Sequence, residues 1–149
     1  MSSKPTEKRD LSYYELYLLD YLRQHKFLQQ HDRDFIHARA EKAADTYEQE
    51  RLNGHSTTAA QELAMAALIS RLHHSKYDIL LDVINTEFEK SVPPALHESL
   101  TERLLPFMGK VFSIYDLTDD DFPLTDEYKN LCDELTGAVA LYLRLYGIQ

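Results

Sequence analysis

A chain of 149 residues, 44% hydrophobic and 11% aromatic, is about one domain's worth and can bury a core of ordinary size. Sixteen Lys and Arg against 25 Asp and Glu give a formal net charge of -9, a field that repels phosphate backbones and acidic membrane surfaces. That balance excludes non-specific nucleic-acid binding and makes a basic partner the easier one to attract.

The opening MSSKPTEKRDL lacks the apolar core of a signal peptide, and no apolar run approaches the ~20 residues needed to span a bilayer, so the expected location is cytoplasmic. With 4 glycines, 5 prolines and no alternating Val/Ile/Thr runs, the composition predicts an all-α fold. We expect a flexible tail over 1–10 and a single compact multihelical domain of about six or seven helices over 11–149.

The first helix is announced by LSYYEL, where Ser12 and Glu15 sit at capping-box positions and Leu11 with Leu16 at staple positions; it is placed from Tyr13 to about His25. A second runs from near Arg33 or Asp34 to Leu52, with Ile36, Ala40, Ala43 and Tyr47 on one stripe, and ends at Asn53-Gly54. A third starts after Ser56 or Thr58, and ELAMAALISRL, apolar nearly all round, predicts a central buried helix. Continued to Lys90 it would be about 50 Å long, so a break is expected, with Ser75 and Asp78 capping a fourth helix that carries Leu80, Val83, Ile84 and Phe88. SVPP stops that helix, and Pro94 suits the first turn of a fifth, which carries Leu96, Leu100, Leu104 and Leu105 and is divided by Pro106. After the acidic DLTDDDFPLTDE comes the last helix, from about Asp126 to Tyr146, with Tyr128, Leu131, Cys132, Leu135, Val139, Tyr142 and Tyr146 on one face and Gly147 as its stop.

Reactive constellations are sparse. His73 and His74 are adjacent, and neighbouring residues on a helix point about 100° apart, which suits one metal ion poorly unless a helix break lies between them. His74 and Asp78 share i,i+4 spacing, so the choice is between a local hydrogen bond, a helix-end pair of histidines, and a metal site of His73, His74 and Asp78. His25, His31, His37, His55 and His97 make no ligand spacing. The acidic loop offers Asp116, Thr118, Asp120 and Glu127 at calcium-loop positions, but Asp121 stands where that turn requires glycine and Pro123 follows, so solvated acids are expected. There is no nucleophile elbow or glycine-rich phosphate loop, and Cys132, the single cysteine, lies on an apolar stripe where packing is expected before reactivity. One cysteine also excludes an internal disulfide framework and cysteine-based zinc sites. No catalytic, cofactor-binding or metal residue is assigned.

The tyrosines are more telling: 10 of them, with no tryptophan. Tyr13, Tyr14, Tyr17 and Tyr21 share one helix and cannot all face one core, and tyrosine suits surfaces that are dry on one side and wet on the other. The last helix carries a second stripe of Ala138, Leu141 and Leu145, which is either buried inside the domain or turned to another chain.

LSYYEL at 11–16, AADTYEQ at 43–49, NGHS at 53–56, HHSKYD at 73–78 and ELTG at 134–137 together resemble a family of small all-helical Bacteroidetes proteins, over nearly the whole chain from about Leu11. The resemblance implies a helical fold and an association with mobile elements. It implies no activity, so no functional residue is carried over. The family pattern has a hydrophobic residue where this chain has His74, which counts against a two-histidine metal site.

The expected function is a non-enzymatic protein-interaction module with an unknown protein partner, in one version a homodimer, and with no direct nucleic-acid or membrane contact and no cofactor. The alternatives are a metal-binding hydrolase or sensor centred on His73, His74 and Asp78, and an acidic protein occupying the basic site of a DNA-binding partner.

Overall fold

Ser12 and Glu15 close the reciprocal cap that their spacing predicts: the Ser12 N–H donates to Glu15 Oε1 at 2.9 Å, and the Glu15 N–H donates to Ser12 Oγ at 3.1 Å. From that cap the chain, seen in a computed structural model that describes residues 11–148, is helical with no strand among the described residues. The polar stretch 1–10, expected as a tail, lies outside the described residues. Among the described residues seven α-helices and four short 3-10 turns fall into two compact units.

The first unit comprises the described part of Met1–Gln24 together with Leu28–Ser70. It holds α1 (Tyr13–Gln24), α2 (Arg33–Leu52) and α3 (Thr57–Leu68). Asp32 caps α2 by accepting from the Phe35 N–H at 3.0 Å. Ser56, rather than Thr58, caps α3, accepting from Ala59 N–H at 3.1 Å. Between them Gly54 takes φ +98°, a left-handed turn that costs glycine nothing. α2 and α3 pack along their lengths, α2 burying Ile36, Ala40 and Ala43 and α3 burying Ala60, Ala64 and Leu68; α1, packed on α2, buries Leu18 and Leu22.

Two expectations need correction here. α3 is not a central helix: Leu63 is 41% exposed, and only the Ala60, Ala64 and Leu68 face is covered. Its apolar count is mostly alanine, which favours helix formation without demanding burial. Tyr47, expected on one stripe with Ile36, Ala40 and Ala43, is only half-buried while those three are covered, because the alanine faces leave no room for a ring between α2 and α3. The end of α3 is held by Arg39, whose Nη1 donates to the Leu68 carbonyl at 2.9 Å and to the Ser70 carbonyl at 2.8 Å.

The second unit comprises His25–Phe27 and Arg71–Gln149, the latter described as far as 148. The expected break is present: α3 ends at Leu68, and α4 (Lys76–Glu87) starts at Ser75, whose hydroxyl accepts from the Asp78 N–H at 3.0 Å. α5 (His97–Leu104) follows a 3-10 turn opened by Pro94, and Pro106 divides it from the single-turn α6 (Gly109–Phe112). α7 (Asp126–Tyr146) is capped by the Thr125 hydroxyl and ended by Gly147 at φ +77°. Leu80, Val83 and Ile84 of α4, Leu100 and Leu104 of α5, and Leu131, Leu135 and Val139 of α7 form the apolar core with Phe112 and Phe122. Burying each of these side chains stabilises the fold by about 1.5–3 kcal/mol.

His97 is 4% exposed within this core. Its Nδ1 lies 2.7 Å from Asn85 Oδ1 and its Nε2 2.8 Å from the Val92 carbonyl, so one ring joins α4, the proline turn and α5. We predict that His97→Ala lowers unfolding stability by about 2–4 kcal/mol, the sum of a cavity and of the buried Val92 carbonyl left unpaired, measured as a lower urea midpoint at unchanged slope.

Candidate interaction surface

α1, α2 and α3 direct their aromatic and polar side chains to one rim of the first unit. Tyr13 and Tyr14 from α1, Tyr47 from α2, and Thr57, Thr58, Gln61 and Glu62 from α3 line a groove of about 590 Å³. The Tyr14 hydroxyl donates to Gln61 Oε1 at 2.7 Å and ties α1 to α3 across the groove lining. Burial, with Tyr47 and Tyr13 close by, pushes the Tyr14 phenol up, so it stays a neutral donor. Tyr13 stands edge-on to Tyr14 at 5.5 Å between ring centroids and 6.3 Å from Tyr17. Tyr13 is 60% exposed and Tyr17 42%, and Leu16, expected to staple the helix start, is 53% exposed beside them. Of the ladder read from the sequence, Tyr13 and Tyr17 are open and Tyr21 is half-buried. Tyr14, named with them on α1, and Tyr47 complete the groove; Tyr47 carried no such signal, since only the α2–α3 packing brings it beside the α1 tyrosines.

The histidine segment divides instead of converging. Asp78 does not bond to His74; its Oδ2 lies 2.5 Å from His25 Nδ1. His73 Nε2 stands 3.7 Å from Asp120 Oδ1, and His74 Nε2 lies 3.1 Å from the Asp120 carbonyl oxygen. Thus His73, His74 and Asp78 share no point where one ion would meet all three, and among the described residues no group of three or more His, Cys, Asp or Glu side chains is arranged to hold a metal ion. The acidic loop is folded by its own carboxylates. Asp116 Oδ1 accepts from the Thr118 N–H at 3.0 Å and hydroxyl at 2.5 Å, bonds that hold its carboxyl below the usual range, and Asp119 Oδ1 accepts from the Asp121 N–H at 2.9 Å.

On α7, Cys132 is half-buried and its thiol is pushed up mainly by burial, an inert setting; neighbouring Tyr128 is pushed up to about 12, again chiefly by burial. The second stripe of α7 is open: Leu141 is 48% exposed and Leu145 62%, while Ala138 is half-covered.

These features define a small all-α protein in which His25, His37, His55, His73, His74 and His97 are each engaged in local pairs, and whose surface also opens Tyr13, Tyr17, Leu141 and Leu145. The chain matches the model of the Domain of unknown function (DUF1896) over residues 6–148 and belongs to that family. It is similar to the crystal structure of protein PG0816 from Porphyromonas gingivalis, a Bacteroidetes species, at 37% identity and a TM-score of 0.82, over 98% of this chain and 99% of that one. None of the curated proteins matches the sequence. No helix among the described residues is long and apolar enough to cross a membrane.

Beside the groove, Glu15 of α1 faces His37 of α2: Glu15 Oε2 lies 3.1 Å from His37 Nδ1, and Glu41 Oε2 lies 3.3 Å from His37 Nε2. The Ser12 N–H, and then His37, hold the Glu15 carboxyl below its ordinary value; the bond to Glu15 and the charge of Glu41 raise His37. The raised imidazole contributes stability that is complete below its unfolded pKa of about 6.5 and lost as pH rises through the higher folded value. The lowered carboxyl contributes stability present above its unfolded value and lost as pH falls through the folded one. We therefore predict that the melting-temperature gap between the parent and His37→Gln is largest near about pH 6 and closes by about pH 9, read by thermal denaturation across that range.

Proposed function

We propose that this protein is a cytoplasmic, non-enzymatic protein-interaction module whose tyrosine-lined groove takes an extended segment of a basic partner protein. The observation that carries the reading is the cluster of Tyr13, Tyr14 and Tyr47 lining one groove, with the exposed Tyr17 beside Tyr13. Tyrosine buries a large rigid face at low entropic cost while its hydroxyl stays hydrogen-bonded, which is why it anchors binding surfaces more often than it decorates free ones. Thr57, Thr58 and Gln61 supply hydroxyl and amide groups for the backbone of an extended ligand, and Glu62 supplies an acceptor for a Lys or Arg. A net charge of -9 steers such a ligand inward.

The test is selection from a display library of natural peptide segments, followed by affinity measurement on purified protein. Tyr13→Ala and Tyr47→Ala are each expected to weaken the selected peptides at least about tenfold at an unchanged melting temperature, and Glu62→Gln to weaken the basic ones and flatten their salt dependence. Selected peptides that bind equally well to all three variants would refute the groove as the binding surface.

A further inference from the structure

The open face of α7 carries Glu134, Gly137, Leu141 and Arg144 at spacings of three, four and three, the alternation that keeps one seam running along a helix. All four are exposed, and Leu145 flanks them at 62% exposure. The seam lies on a different side of α7 from Leu131, Leu135 and Val139, which fill the core of the second unit. Gly137 stands in the middle of a 21-residue helix, where glycine is less favourable than any residue but proline, and a Cβ built there would meet nothing within 4 Å. No described residue of the chain therefore calls for the missing side chain. Arg144 forms no hydrogen bond or ion pair with the described residues, and Glu134, which accepts from the Tyr115 hydroxyl, keeps its other face to solvent.

We infer that this face is an interface with a second copy of the chain, formed by two α7 helices packed antiparallel about a two-fold axis near the level of Val139. Residues i and j then meet when they are equidistant from that level in opposite directions. Leu141 packs over Gly137 of the partner subunit, the glycine making the hollow that the leucine fills. Glu134 pairs with Arg144 of the partner subunit. Each contact occurs twice. A parallel pairing would set Glu134 against Glu134 of the partner subunit and Arg144 against Arg144 of the partner subunit, so the charges themselves choose the antiparallel arrangement. With the axis near Val139 about 22 Å of helix, from Cys132 to Tyr146, overlaps its copy, and Leu141 lies close to the middle of that overlap. The inference gives the interaction-module reading a second surface, separate from the tyrosine groove. Monomeric behaviour would leave the groove standing, and loss of peptide binding would leave this interface standing.

Sedimentation equilibrium on the full chain tests it. The parent is expected to dimerise with a Kd below about 0.1 mM, Leu141→Asp to be monomeric, and Arg144→Glu to raise the Kd at least about tenfold. Glu134→Arg alone should be equally weakened. Mixing the two single-charge variants should restore a dimer of near-parental affinity, because in that hetero-pair both charged layers are again opposite in sign. A parent that stays monomeric to about 1 mM overturns the inference, as does a dimer indifferent to Arg144→Glu or Leu141→Asp. Failure of the mixed variants to associate, with both folded by circular dichroism, overturns the antiparallel register. If Glu134→Arg unfolds through loss of its Tyr115 bond, the Arg144→Glu and Leu141→Asp results decide alone.

Discussion

Four alanines set the dimensions of the first helical unit. Ala40 and Ala43 of α2 face a helix, α3, that buries Ala60 and Ala64, and side chains this small let two helix axes approach to the short end of the usual 8–10 Å. Alanine faces in contact leave no room for a ring between two helices. Tyr47 is displaced to the rim, Tyr14 reaches across to Gln61, and Tyr13 and Tyr17 are left outside the packed volume. The aromatic groove is thus a by-product of close packing. The tightness that excludes the tyrosines also holds the backbone beneath them in a fixed geometry, and a rigid platform loses little entropy when a ligand arrives.

The second unit solves the opposite problem, a core of large aliphatic and aromatic residues spread over short helices. Its helices are positioned by side-chain caps and by His97, whose two ring nitrogens tie α4, the proline turn and α5 by meeting the Asn85 side chain and the buried Val92 carbonyl. α7 serves as the spine, and because its core face spans only part of the helix circumference, its other apolar stripe stays open.

Local chemistry explains what was legible from the residues alone. Ser12, Ser75, Asn53-Gly54, Pro94, Pro106 and Gly147 each act on the backbone within a few residues of themselves, so helix starts and stops could be placed almost to the residue. The fate of α3 could not, because alanine reads as apolar whether or not it is covered. The partners of the histidines were equally illegible: His25 meets Asp78 across 53 residues of chain and His74 meets Asp120 across 46, whereas spacing arguments see only the neighbouring turn. Half of the tyrosine surface was visible, the part on α1, since four tyrosines in three turns overfill any single face; the rest needed the packing of α2 and α3.

The segment His25–Phe27 belongs to the second unit although the chain on either side of it belongs to the first. The backbone therefore passes between the units three times, and neither unit is one continuous piece of polypeptide. Cutting after Ser70 would strip Asp78 of His25 and Glu102 of Lys26, which lies 3.1 Å from it. A gene duplication or fusion that borrowed only the second half would inherit a unit lacking part of itself.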